Sequence, residues 1–135
     1  MGFQEAVGSC LRKYATFTGR APRSEFWWFW VFTILVEIAA VVVSGMLLGG
    51  SITEVGSSSM GGWFIFASEG WLPGLVHLAL ILPSLAVAVR RLHDVGRSGW
   101  WFLIIFVPLF GFLLLLFWWV QPSEREANRF GPPPV

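Results

Sequence analysis

Five arginines offer the clearest chemistry in this sequence: Arg20, Arg23, Arg90, Arg91 and Arg97. A guanidinium presents a planar fork of donors that matches paired phosphate or carboxylate oxygens. Gly96 and Gly99 stand beside them, where backbone N–H groups could approach an anion closely. Such a surface would take an anionic lipid headgroup or the acidic face of a partner. The plainer account is that these arginines orient the chain in a membrane and pair with Glu25 and Asp94.

Glu37 and His77 are a second candidate, because each interrupts a long apolar run. An ionised carboxylate at mid-span costs roughly 2.5–3.5 kcal/mol, so a hydrogen-bonded partner is expected. Glu37 lies about 16 Å into its run and His77 about 9 Å into the next, at ~1.5 Å per helical residue. Antiparallel helices would bring the two within side-chain reach. They then form a buried pair on a proton or ion path, or a purely structural contact, within one chain or between protomers.

His93 and Asp94 resemble a base with its orienting carboxylate, but adjacent residues on a helix do not face each other. A turn-stabilising, charge-pairing role fits them better. Zinc-protease, nucleophile-elbow, phosphate-loop and dinucleotide motifs are all missing, so no enzyme is expected. Cys10 is the single cysteine, which rules out an internal disulfide and speaks against a cysteine-based metal site. No metal, cofactor or nucleic-acid partner is expected.

The elements that must hold these residues are apolar runs. Phe26–Leu48, Trp71–Val89 and Trp100–Val120 are each 19 to 23 residues long, and a spanning helix needs ~20. In hydrocarbon each backbone N–H and C=O must bond within its own segment, which makes helix the expected conformation. Trp27, Trp28 and Trp30 mark the start of the first run, Trp63 and Trp71 the approach to the second. Trp100, Trp101, Trp118 and Trp119 bracket the third. Indole prefers the headgroup level, so these positions mark membrane edges.

Composition agrees. Counting its 15 glycines with the 56% hydrophobic residues makes about two-thirds of the chain apolar, against ~45–50% in soluble domains. A chain of 135 residues forms one domain and keeps too much surface wet to hide that hydrocarbon from water. The first apolar run is too long for a cleaved signal and reads as a retained anchor. The fold class is all-α, a polytopic integral membrane protein with three hydrophobic helical segments.

Basic residues set the orientation. Residues 1–25 carry Arg12, Lys13, Arg20 and Arg23; residues 49–70 carry none; residues 90–99 carry Arg90, Arg91 and Arg97. The N-terminus and the 90–99 loop should face the cytoplasm, with 49–70 a flexible Gly/Ser-rich loop outside. The Pro-rich tail 121–135 holds Arg125 and Arg129. Three plain spans put it outside. Pro108 and Gly111 could instead break residues 100–120 into a re-entrant hairpin that returns the tail to the cytoplasm.

Phe3, Ala6, Val7, Cys10, Leu11 and Tyr14 share one face of an N-terminal amphipathic helix. It lies in the membrane interface or packs on the chain's own loops. Within the GRAPRS stretch Pro22 suits a helix start or turn, and Ser24 followed by Glu25 suits an N-cap.

Three stretches carry a family resemblance: GRAPRSEFWW from Gly19, RRLHDVGRSGWW from Arg90, and NRFGPPP from Asn128. In that order they resemble the bacterial inner-membrane family known as domain of unknown function 805. The likeness extends over nearly the whole chain. It implies a small multi-pass protein of the bacterial cytoplasmic membrane, with no established activity and no catalytic residues to carry over. One site built from all three stretches would need them on one side, which favours the hairpin. The expected function is non-enzymatic: a basic cytoplasmic face that engages lipid headgroups or a protein partner, another membrane protein or a second copy. The alternative is a transporter or channel subunit using Glu37 and His77.

Overall fold

The structure, a computed structural model, describes residues 1–48 and 71–134. The expected outer loop, residues 49–70 with Trp63, lies outside the described residues. Among the described residues the chain is helical, with one isolated backbone bridge between Asn128 and Gly131. The order is α1 (Phe3–Arg12), α2 (Arg23–Leu48), α3 (Trp71–Asp94), a 3-10 helix (Gly99–Phe106) and α4 (Phe110–Val120). Two compact units form: Met1–Trp30 with Leu82–Val135, and Val31–Ile81.

Both α2 and α3 are long and apolar enough to cross a membrane. Only 11% of the apolar window of α2 is buried within the chain, unlike the core helix of a soluble protein. Leu35, Ile38, Met46 and Leu47 are among its exposed side chains. Water would penalise that surface; hydrocarbon does not. The helix opens at Arg23, and the Pro22 carbonyl accepts the Phe26 N–H at 3.2 Å. Pro22 therefore stands where the sequence pointed to Ser24 as the cap. A proline at a helix start forfeits no hydrogen bond, because the first N–H groups have no partner anyway.

At its far end α3 closes in a Schellman turn. Gly96 takes φ +73°, its N–H bonds the His93 carbonyl at 3.0 Å, and the Arg97 N–H reaches the Leu92 carbonyl at 2.9 Å. The Gly96 N–H is thus spent on the helix cap and does not face an anion.

Residues 100–120 do not form one helix. The 3-10 helix and α4 pack against each other as two arms, of 8 and 11 residues. At ~2.0 Å and ~1.5 Å per residue each arm is about 16 Å long, roughly half of a ~30 Å hydrocarbon layer. Between them Leu109 adopts φ 61° and ψ −60°, and the Phe110 N–H bonds the Pro108 carbonyl at 2.7 Å. That is a γ-turn of the rarer, strained hand. Gly111 lets the arms meet: a Cβ there would overlap the Ile104 carbonyl oxygen. Phe106, Leu109 and Phe110 leave the tip apolar and exposed. The N–H groups of Val107, Phe110, Gly111 and Leu113 bond locally, as a lipid setting demands.

The apolar stripe of α1 is divided. Ala6 and Cys10 are buried with Ser9 beside them, and Phe3 meets Trp28 edge to face at 5.8 Å. Leu11 and Tyr14 stay exposed. One edge of the stripe packs on the chain, and the other is left for a surrounding medium.

Candidate functional site

The unit formed by Met1–Trp30 and Leu82–Val135 buries charged side chains beside apolar ones such as Phe26, Phe29, Leu92 and Leu115. Arg20, Arg90, Arg91, Glu25 and Asp94 are all buried. Burying an ion is costly unless its hydrogen bonds are nearly all met, and the sequence supplies the partners from distant positions.

Asp94 is the hub. Its Oδ1 accepts from Arg20 Nε at 3.0 Å, and its Oδ2 accepts from Arg91 Nη1 and from the Ser123 hydroxyl. Its backbone carbonyl accepts from Arg20 Nη2 at 3.3 Å and from the Glu124 N–H at 3.2 Å. The remaining donors of Arg20 reach the tail carbonyls of Glu124 at 2.6 Å and Glu126 at 2.9 Å. Arg91 ties the end of α4 to the same point through the carbonyls of Trp119, at 3.2 Å, and Gln121. One side chain from the first loop, two from the end of α3 and the returning tail therefore form one lattice.

His93 turns away from Asp94. Its Nδ1 lies 3.0 Å from the Gly19 carbonyl, and its ring stacks on Phe130 with centroids 4.0 Å apart and planes 3° from parallel. Asn128 donates to the His93 carbonyl at 3.0 Å and to Glu124 at 2.7 Å. The pair holds loop and tail together instead of working as base and orienter.

A second buried pair sits under α1. Arg90 Nη1 donates to Glu25 Oε1 at 2.7 Å, and the same oxygen accepts from Ser9 Oγ at 3.1 Å and Cys10 Sγ at 3.5 Å. Burial pushes the Cys10 thiol up to about 12; the neighbouring Glu25 charge adds to the shift and Arg90 opposes it. The thiol stays protonated and unreactive. Among the described residues the other Arg90 nitrogens, Nε and Nη2, are buried without a hydrogen-bond partner, as is Trp119 Nε1.

Sequence reasoning placed the five arginines in one group, and the structure divides them. Arg20, Arg90 and Arg91 are inside; Arg23 and Arg97 are exposed. Arg23 donates to the Val120 carbonyl at 3.4 Å, and Arg97 lies 5.0 Å over the Trp118 ring, a cation–π contact. Gly99 is pressed against Val89, so it serves packing between the 3-10 helix and α3. Ser123, Glu124, Asn128 and the tail carbonyls were not legible as ligands of Arg20 and Asp94; only the NRFGPPP stretch pointed to that region.

The three stretches that carry the resemblance converge. Arg20 from the first meets Asp94 from the second, and His93 from the second stacks on Phe130 from the third. A cavity of about 600 Å³ lies beside them, lined by residues including Lys13, Arg20, Pro22, Phe130 and Pro133.

In the Val31–Ile81 unit, Glu37 and His77 meet. His77 Nδ1 lies 3.0 Å from Glu37 Oε1, with the imidazole side chain 40% and the carboxylate side chain 25% exposed. The described residues offer no cluster of three or more potential metal ligands.

Comparison with known proteins follows the same outline. The model of a family described as a protein of unknown function, DUF805, matches residues 14–132. The chain is 38% identical over 124 residues to the inner membrane protein YhaH of Escherichia coli (strain K12), covering 92% of this chain and 91% of that protein. Identity to the inner membrane protein YhaI of the same strain is 36% over 126 residues, covering 93% and 92%. The uncharacterized protein YiiR is 29% identical over 119 residues, covering 87% of this chain and 67% of that protein. No solved structure matches.

Proposed function

The chain belongs to the DUF805 family, and from that premise we propose that it is a non-enzymatic inner-membrane component whose basic cytoplasmic rim holds anionic lipid headgroups. The observation that carries this reading is the division of its cations. Buried arginines brace the frame, while Arg12, Lys13, Arg23, Arg97, Arg125 and Arg129 remain exposed in the same unit, against exposed Glu5, Glu124 and Glu126. Arg23 opens α2 and Arg97 precedes the apolar 3-10 helix, the positions at which a span's end would meet headgroup phosphates.

The topology that accompanies this reading has two spans, α2 and α3, followed by a re-entrant hairpin. Its support is local: the tail is bound to Arg20, in the loop before α2, and to Asp94, at the end of α3. The N-terminal segment, the 90–99 loop and the tail then share the cytoplasmic side, together with all the basic residues.

Each exposed basic residue near an anionic surface contributes about 1 kcal/mol. In nanodiscs of mixed zwitterionic and anionic lipid, Arg23→Gln with Arg97→Gln should weaken anionic-lipid retention by roughly 30-fold. The effect should also shrink at high salt. Equal retention by the parent and the double variant would sink the proposal.

A second reading, a transport or channel subunit, has the Glu37–His77 hydrogen bond in its favour. A single pair does not line a path across ~30 Å of hydrocarbon. Ion flux unchanged by Glu37→Gln with His77→Gln would end it.

A further inference from the structure

We propose that the Glu37–His77 pair is one half of a symmetric contact between two copies of this chain inside the bilayer. The inference rests on the reading that α2 and α3 span the membrane, and it is independent of the lipid-binding rim.

The pair has more hydrogen-bonding capacity than its one mutual bond uses. Nδ1 and Oε1 bond each other at 3.0 Å, and each group carries a second hydrogen-bonding atom, Oε2 on the carboxyl and Nε2 on the ring. The two side chains are 25% and 40% exposed. Glu37 is the fifteenth residue of the 26-residue helix α2, so this opening lies deep in the hydrocarbon. Lipid tails offer neither donor nor acceptor, and polar groups at that depth face protein rather than acyl chains.

A second copy meets the need without any further residue. Most homo-oligomers close by a two-fold axis, which sets one patch against itself. In a membrane that axis runs along the bilayer normal, so it preserves depth. Glu37 and His77 already lie at one level, because they are hydrogen-bonded to each other. Rotation about the normal therefore brings His77 of one copy level with Glu37 of the other, and the same contact forms twice. Nε2 of each imidazole faces Oε2 of the opposite carboxyl, and four side chains close a ring. An unrelated partner would need its own donor and acceptor placed at the same depth. Ile34 on α2 and Ile81 on α3 are exposed within a turn of the pair and would flank the axis. Leu35, also exposed, lies on the far side of α2 from Glu37.

The test is oxidative cross-linking of single cysteines introduced into full-length Cys10→Ser protein, in native membranes and after purification into liposomes. Ile34→Cys and Ile81→Cys should each give a disulfide-linked species of twice the chain mass. Leu35→Cys should give at least tenfold less. Adding Glu37→Leu with His77→Leu, which removes the polar groups and keeps the segments apolar, should lower the Ile34→Cys yield at least tenfold. Equal yields at positions 34 and 35, equal yields with and without the polar pair, or an adduct with a different protein would each overturn the proposal. Alkaline extraction of the same membranes separates the two possible failures. Protein released by carbonate means that the spanning reading is wrong; protein retained but not cross-linked at position 34 means that only the dimer is wrong.

Discussion

Asp94 concentrates the consequences that belong to single residues. It accepts from two buried guanidiniums and a hydroxyl through its side chain, and from Arg20 and Glu124 through its backbone. Asp94→Asn keeps the shape and removes the charge, leaving Arg20 and Arg91 buried without their shared anion. Breaking a buried ion pair from one side costs ~3–5 kcal/mol. The variant should therefore melt far below the parent in detergent, followed by near-ultraviolet circular dichroism. An unchanged melting temperature would show that the lattice contributes little. Arg90 offers a contrast, since only one of its guanidinium nitrogens, Nη1, has a partner among the described residues. Replacing Glu25 would leave it with none. Which residues are charged was legible in the sequence, and so was the pairing of arginines with Glu25 and Asp94. Which arginine takes which carboxylate was not, because Arg20 and Asp94 are 74 positions apart and no local periodicity joins them.

The hairpin arms are the element whose shape depends most on one small residue. Gly111 sits where the α4 backbone crosses the Ile104 carbonyl, and no side chain fits there. Gly111→Ala should force the arms apart and straighten the segment, exposing Trp119, now packed against Phe102 and Phe26. A shift of tryptophan emission on that substitution, with none on Leu109→Gly, would locate the strain at the crossing rather than in the γ-turn. Leu109→Gly should instead be neutral or stabilising by about 1 kcal/mol, since glycine adopts positive φ freely. Pro108 and Gly111 were visible as breakers from the sequence, and both the straight and the folded form were open. What periodicity could not supply is the approach of the arms, because an all-apolar run gives every helix face the same character. The N-terminal helix shows the same limit. Its stripe of apolar positions was readable, but not that Cys10 and Ala6 would pack inward while Leu11 and Tyr14 would not.

For the whole molecule, the decisive quantity is the side of the membrane that the tail occupies. The Glu124 N–H reaches the end of α3 and Arg20 reaches the tail carbonyls, and the proposed re-entrant topology accordingly sets the segments they join on one face. A reporter fused to the C-terminal end should thus signal from the cytoplasm, as one fused to the N-terminus should; a periplasmic signal from the C-terminal fusion would exclude the re-entrant arrangement. Apolar runs, tryptophan edges and arginine placement announced membrane residence from the sequence alone, because bilayer thickness acts on each segment separately. The polar lattice is a property of the assembled chain and has no such local signature.

That lattice also sets a schedule for biogenesis. Arg20 leaves the ribosome early, yet its acceptors at Glu124 and Glu126 are translated more than 100 residues later. At ~5–20 residues per second, the guanidinium waits at least several seconds for its last partners. In the proposed topology it stays hydrated among headgroups during that interval, and the latch shuts only once Glu124 and Glu126 have been made. Chains truncated before Ser123 would keep an open latch, and membrane proteases should clear them faster than full-length product.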